Sequence, residues 1–362
     1  IWIYSVVFFS FNKVLSSLML SNSIDILIPL IVYICSFEIL GRMTQAYPFL
    51  PWELSKYIFV FTSLMLIISG NIKRPYIWGI IIFFLLIPSI MIDKSDIVNT
   101  ERLIFNLFGP ISMSLLIIVL GEYRINEKYL SSLLKLIWFS TVTLLTYVIL
   151  KTPDYSNLSF SLNADFATTG GFGSNQVSTI IGIGMFLSFY AWMNKLLFSG
   201  NHTIDGLFIG VFAYQGFLTF SRGGMLIGIG AIIIYYLILR KSKTLKRITK
   251  VRALRPFQLF LFAMIIIVVS YALIQNITEG NLTLRYLGET STTLSGSKIK
   301  TINTVTTGRY EIFLSDLKLW TENFIFGTGA GASIFLRENN LFGVAAHTEI
   351  SRLLAEHGLF GL

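Results

Sequence analysis

Five ionisable side chains fall within eleven residues near the end of the chain: His347, Glu349, Arg352, Glu356 and His357. Read as a helix, Glu349, Arg352, Leu353 and Glu356 recur at i, i+3, i+4 and i+7 and share one face. His347 then stands at the helix N-terminus. A histidine titrates near neutral pH and is the usual general base. Three arginines elsewhere, Arg222, Arg285 and Arg309, carry planar forks of donors that match phosphate oxygens and stay charged. One base with several phosphate clamps suits transfer from a lipid diphosphate. The base takes a proton from an acceptor hydroxyl, and the clamps stabilise the departing diphosphate. Nothing in the sequence calls for a metal or another cofactor. There is no Asp-x-Asp, one cysteine (Cys35), and three histidines in all (His202, His347 and His357). The closest acid pair, Asp93 and Asp96, has Lys94 beside it and reads as a solvated loop.

Each residue also has a purely structural reading. Arg222 suits a snorkelling interfacial arginine. Arg285 and Arg309 suit exposed positions, Arg309 on a surface helix. His347 suits an ordinary helix-terminal residue. Glu349, Arg352 and Glu356 suit an ion-pair ladder that holds their helix. Gly327-Thr328-Gly329-Ala330-Gly331 has no Lys-Ser/Thr after it, so it reads as a flexible turn rather than a phosphate loop.

The elements that must position these groups are apolar helices. The chain is 54% hydrophobic and 13% charged over 362 residues, with a mean hydropathy of +0.71. That composition excludes an ordinary soluble domain and predicts an all-α polytopic membrane protein in a lipid bilayer, each span satisfying its own backbone. Segments apolar enough to span lie at 1–20, 25–41, 57–70, 76–92, 103–121, 135–150, 176–193, 205–220, 223–239 and 257–274. An eleventh begins near 348, giving a bundle of about 10–12 helices. Residues 1–274 form the bundle and 275–346 one large, partly helical loop. Residues 347–362 start a C-terminal transmembrane region expected to continue beyond Leu362. The first segment lacks a basic start, so no cleavable signal peptide is expected.

Residues 240–256 carry eight lysines and arginines and no acid. The positive-inside rule makes this loop cytoplasmic, beside anionic lipid rather than nucleic acid. Alternation then puts 42–56, 93–102, 152–175 and 275–346 on the opposite face. Lys13 interrupts the first segment, which has an interfacial reading as an alternative. Arg222 falls at the outer end of its helix, and Asn175 begins a helix on that side. Tyr214 and Gln215 fall in the outer half of theirs, where polar groups face a cavity or the bundle interior. The outer loop holds an amphipathic surface helix, Thr307 to Trp320, and then the glycine turn. A long loop with structure of its own is usually functional.

Four ordered motifs resemble one family. Ala346-His347-Thr348-Glu349 through Glu356-His357-Gly358-Leu359-Phe360-Gly361-Leu362 resembles the terminal signature of the O-antigen ligase and polymerase superfamily. Ser221-Arg222-Gly223-Gly224 resembles its Ser-Arg-Ser/Gly-Gly helix start. Gly308-Arg309 with Asn323-Phe324-Ile325-Phe326-Gly327-Thr328-Gly329 resembles its loop segment, with Phe324 where the family often has proline. Gly171-Phe172-Gly173-Ser174-Asn175-Gln176 resembles its Gly-x-x-x-Asn helix start. The resemblance covers roughly 160–362.

The resemblance implies a metal-independent, inverting membrane glycosyltransferase of the bacterial inner membrane. It would take a glycan from undecaprenyl diphosphate on the periplasmic face. A ligase would pass the glycan to lipid A–core in lipopolysaccharide biosynthesis. A polymerase, the alternative within the superfamily, would pass it to the next repeat unit. By motif, His347 is the implied base, Arg222 and Arg309 the diphosphate clamps, and Arg285 a looser match. Asn175, Tyr214, Gln215, Glu349, Arg352 and Glu356 are supporting. A lipid-linked glycan transporter is the rival from another class. It usually needs repeated halves and access from both faces, whereas the polar groups here gather on one.

Overall fold

The computed structural model describes residues 23–45, 54–68, 72, 74–92, 96–154, 160–162, 166–241, 255–338, 340–346 and 348–361. Most of these residues are helical, with no strand among them. In chain order the helices are α1 Ser23–Met43, α2 Leu54–Ile68, α3 Ile77–Leu85, α4 Ile87–Met91, α5 Thr100–Leu120, α6 Glu127–Lys151, α7 Ser174–Asn194 and α8 His202–Leu218. They continue as α9 Arg222–Lys241, α10 Arg255–Ile277, α11 Asn281–Tyr286, α12 Ser291–Leu294, α13 Ile302–Val305, α14 Arg309–Glu322, α15 Ser333–Leu336 and α16 Glu349–His357.

Among the described residues, five helices are long and apolar enough to cross a membrane: Thr100–Leu120, Glu127–Lys151, Ser174–Asn194, Arg222–Lys241 and Pro256–Ile277. Leu226, Ile227 and Ile234 on α9, and Phe262 and Val268 on α10, are exposed. Lipid accepts such side chains where water would not. The first expected segment, 1–20, and most of the basic loop lie outside the described residues, as do Asp93 and Lys94.

Asparagine starts three of the apolar helices. Asn99, Asn126 and Asn201 each accept a backbone N–H from the first turn, of Arg102 (2.9 Å), Tyr129 (2.8 Å) and Thr203 (2.8 Å). Each satisfies a donor that the helix itself leaves unpaired. The expected span at 76–92 is broken instead at Leu86. Pro88 lacks an N–H and is tolerated only in a first turn, so the chain restarts there as α4.

The chain divides into two compact units. One comprises Ile1–Ile31, Glu53–Arg124 and Lys300–Leu362. The other comprises Val32–Trp52 and Ile125–Ile299. The division runs through the long 275–346 segment. Its first part, with α11 and α12, belongs to the second unit, and its remainder to the first.

In the second unit α7 is the central helix. Of the five long helices it is the most enclosed, with 67% of its apolar window buried. Trp138 of α6 donates to Ser188 of α7 at 2.8 Å, which satisfies a buried indole. On the opposite side α7 and α9 cross backbone to backbone at Gly182, Gly224 and Gly228. A Cβ on Gly224 would stand 2.2 Å from the carbonyl carbon of Ser178. Small residues let helices pack closely in a membrane, where van der Waals contact drives association. Gly224→Val is therefore expected to force the pair apart at about 1–3 kcal/mol. Gly230→Val, on the same helix, meets nothing within 4 Å. Thermal unfolding in detergent should drop for Gly224→Val and not for Gly230→Val. Equal midpoints would refute the crossing as a stability determinant.

In the first unit α14 packs on α16, burying Ile312, Asp316 and Leu319 at i, i+4 and i+7. The amphipathic helix expected over Thr307–Trp320 is thus α14, and its buried face carries a carboxylate. α16 runs for nine residues, about 13 Å. It ends at Gly358 (φ 62°, ψ −139°) and passes into a 3₁₀ turn, Gly358–Gly361.

Candidate functional site

In the second unit two motifs 46 residues apart meet. Ser221, just before α9, donates to Asn175 Oδ1 at 2.9 Å and accepts from Ser178 Oγ at 2.8 Å. Asn175 is the second residue of α7, so the N-termini of α7 and α9 are tied together. The approach to α9 is strained. Phe220 has φ 53°, a left-handed conformation that bulky side chains rarely adopt. It is held by stacking on Phe160 (5.8 Å) and by its own carbonyl, which accepts from Arg285 Nε at 3.3 Å.

Arg285, 8% exposed, is buried at the end of α11, and Arg222 opens α9 half-buried. Burial pushes the Tyr286 hydroxyl well above its usual range, with Tyr271 adding to it. Both guanidiniums act in the opposite sense, so both stand within Coulombic reach of that hydroxyl. The Tyr286 oxygen itself is buried and has no hydrogen-bond partner among the described residues. Arg222, Arg285 and the N-terminus of α9 all contribute positive potential, an arrangement suited to an anion.

Gln215 is structural. It donates to the Thr168 carbonyl (3.0 Å) and to Thr152 Oγ1 (3.2 Å), fixing the turn before α7. Tyr214 is half-buried against the core.

In the first unit the other two motifs meet. The backbone N–H groups of Thr328 and Gly329 donate to the Ala355 and Glu356 carbonyls at 2.8 and 3.0 Å. In return Leu359 N–H donates to Phe324 and Ile325 carbonyls, each at 3.1 Å. Gly327 and Gly358 both have positive φ. A Cβ on Gly327 would lie 2.4 Å from the Glu356 carbonyl carbon, and one on Gly358 2.4 Å from the Ile325 oxygen. The glycine segment expected to be a flexible turn is thus a fitted clasp. Its N–H groups satisfy the last carbonyls of α16 rather than a phosphate.

Arg352 pairs with Glu349 (2.6 Å) and with Glu356 (3.2 Å), and also reaches Asn106 of α5 at 3.1 Å. Glu356 is 1% exposed and accepts from Ser333 Oγ at 2.8 Å. Burial raises its pKa; Arg352, the Gly331 N–H and Ser333 pull it down. His357 is buried beside it. Burial, and then Arg352, lower the imidazole pKa to about 4, so it is neutral at physiological pH.

Arg309 begins α14, half-buried, and its side chain makes no hydrogen bond or ion pair among the described residues. His347 lies outside the described residues. Its neighbours are anchored. Val344 accepts from Arg337 through its carbonyl, and Thr348 is hydrogen-bonded to Ser351. Thus Asn175, Arg222 and Arg285 come together in one unit. Glu349, Arg352 and Glu356 come together in the other, which also carries Arg309.

A cleft of about 940 Å³ opens in the first unit. Glu349, Arg352 and Glu356 line one wall, and Ala345 and Ala346 come next to them. The opposite wall is α5 with Lys56 of α2. Lys56, Arg102 and Asn106 were not singled out by sequence. Their signal is a basic residue just before an apolar run, Lys56 before 57–70 and Arg102 before 103–121, plus one amide inside the second. Among the described residues no group of three or more His, Cys, Asp or Glu is placed to hold a metal. Compared with protein-family models, characterised proteins and solved structures, the chain matches none at a significant level.

Proposed function

We propose that this chain is a membrane glycosyltransferase that moves a glycan from undecaprenyl diphosphate to an acceptor hydroxyl on the periplasmic face. Lipid A–core is the acceptor in the ligase form of this reading, and a second glycan in the polymerase form. His347 takes the hydroxyl proton as the oxygen attacks the anomeric carbon. The bond from that carbon to the diphosphate oxygen breaks with inversion, and undecaprenyl diphosphate leaves with the electron pair. Arg222 and Arg309, with Arg285, neutralise the charge that gathers on it. About 10–12 spanning helices and a large periplasmic loop belong to the same reading.

The observation that carries it is the pairing of the motifs. The Gly-x-x-x-Asn and Ser-Arg-Gly-Gly segments share a hydrogen bond beside Arg222 and Arg285. The loop and terminal segments clasp each other beside Arg352 and Glu356. Chance similarity at four separate places does not require the four to bond in pairs.

Arg222→Ala and Arg309→Ala are expected to weaken donor use, measured as KM for a lipid-diphosphate glycan, about tenfold or more each. Arg222→Lys should recover part of that loss, because it keeps the charge and loses the fork. Unchanged donor KM in both alanine variants would remove the clamp assignment.

A further inference from the structure

α14 has two apolar stripes, and only one is packed inside the protein. Ile312 and Leu319 are buried where α14 meets α16. On the far side of the helix Tyr310, Leu314 and Leu317 recur at i, i+4 and i+7 as a second stripe. Tyr310 and Leu314 are exposed and Leu317 is half-buried. Between the two runs a charged stripe, Glu311, Lys318 and Glu322, at i, i+7 and i+11.

The exposed apolar surface continues into the turn after the helix. The Trp320 and Phe324 ring centroids are 5.2 Å apart. Phe324, Ile325 and Phe326 follow one another and are each about half exposed. Phe326 stacks on Phe360 at 5.7 Å, and exposed Leu359 is held to the same turn through its N–H. Residues 323–331 and 358–361 carry no charge. Helix, turn and terminal segment thus form one continuous apolar surface, of the kind that marks an interaction site.

The partner follows from where this surface is fixed. Ala330 N–H donates to the Ser89 carbonyl of α4 at 3.4 Å, and α4 also packs on α16. Ile90 and Met91, next to Ser89, are exposed. Arg352 of α16 reaches Asn106, which lies about 9 Å along α5 from Thr100. Ile104 and Phe105 beside it are exposed, on a helix long and apolar enough to cross a membrane. The clasp therefore stands within the end turns of that helix, beside apolar side chains suited to lipid. Tyrosine and tryptophan favour this level of a bilayer, where one end of the ring is apolar and the other wet. A helix with one apolar and one charged stripe lies in the plane of that interface.

We propose that this surface anchors the first unit in the lipid bilayer, in the leaflet at the Thr100 end of α5. α14 lies in the interface with its charged stripe toward water. Leu314 and the Phe324–Phe326 turn sit among the acyl chains. The carbonyls of Phe324 and Ile325 already accept from Leu359, so the turn does not carry them bare into lipid. The partner is recognised by its hydrocarbon and not by its headgroup. The anchor would hold α16 at a fixed depth, and it does not rest on the transferase reading.

The test uses the full chain with Cys35→Ala, which removes the one native thiol, in phosphatidylcholine nanodiscs. A bimane fluorophore is attached in turn through Leu314→Cys, Ile325→Cys and Lys318→Cys, at three exposed positions. Phosphatidylcholine brominated on its acyl chains is expected to quench the label at 314 and 325 severalfold more than aqueous iodide does. At 318, on the charged stripe of the same helix, iodide should be the stronger quencher. An unchanged thermal midpoint establishes that a labelled variant folds. Positions 314 and 325 lie on different elements, so either one decides if the other variant misfolds. Iodide quenching at 314 and 325 as strong as at 318 would overturn the proposal by placing the surface in water. Quenching by neither agent would overturn it by showing that protein, such as a second copy of the chain, covers the surface. Equal lipid quenching at all three positions would also overturn it, since the helix would then have no lipid-facing side.

Discussion

Arg337→Ala is expected to be the most destabilising single substitution in the first unit, costing about 3–5 kcal/mol. Arg337 and Asp316 are both fully enclosed, with side-chain exposures of 0%. The Asp316 carboxylate accepts from Arg337 Nε at 3.0 Å and Nη2 at 2.6 Å on one oxygen, and from Ser351 Oγ at 2.8 Å on the other. Arg337 Nη1 also donates to the Val344 carbonyl. A buried charge pair of this kind adds little relative to apolar packing. Removing one partner, however, strands the other charge without solvent. The network ties α14, the 337–344 turn and α16 together. It also fixes Val344 and Thr348, on either side of His347. Its loss should therefore reduce activity as well as stability. Thermal unfolding in detergent should fall sharply for Arg337→Ala and recover in part for Asp316→Asn combined with Arg337→Met. Lys318→Ala removes the exposed pair with Glu338 and should leave the midpoint unchanged. A midpoint for Arg337→Ala equal to that of Lys318→Ala would contradict the account of this network.

His347→Ala is expected to lower transfer by about 10²–10⁴-fold, the usual contribution of a general base, with the thermal midpoint unchanged. The stability arm matters because a histidine at a helix start can also serve structure alone. In that case the midpoint falls and residual activity tracks the folded fraction. His357 supplies a contrast. It is buried, neutral and beside Arg352, so His357→Asn should act through stability. Normal transfer by folded His347→Ala would remove His347 as the base.

How much of this was legible in the sequence depends on the range of the interactions involved. Apolar runs placed most long helices within a few residues: 176–193 is α7, Ser174–Asn194, and 223–239 is α9, Arg222–Lys241. The i, i+3, i+4, i+7 spacing was enough to put Glu349, Arg352 and Glu356 in one ladder. Pro88 is readable as a helix breaker, but apolar content dominates the 76–92 window and hides the break. The Asp316–Arg337 pair spans 21 residues, from inside α14 through the glycine turn to just past α15, where no single period links the partners. The clasp between Gly327 and Gly358 was hidden for the same reason. Each glycine alone reads as a turn, and only their mutual approach shows that neither can carry a Cβ. Arg102 and Asn106 read in the sequence only as parts of a span, because where they stand depends on what packs beside α5. The Arg222–Arg285 pairing was expected as a shared membrane face. The strained Phe220 that links them was not expected, because left-handed backbone leaves no mark on a phenylalanine.

The most direct test is transfer itself, with protein purified in detergent micelles and given an undecaprenyl-diphosphate glycan and an acceptor. Micelles have no second leaflet, so a transporter has nothing to do there. The account predicts glycosylated acceptor and free undecaprenyl diphosphate in equal amounts. Intact donor in micelles, with the same protein carrying that donor across the bilayer of proteoliposomes, would contradict it.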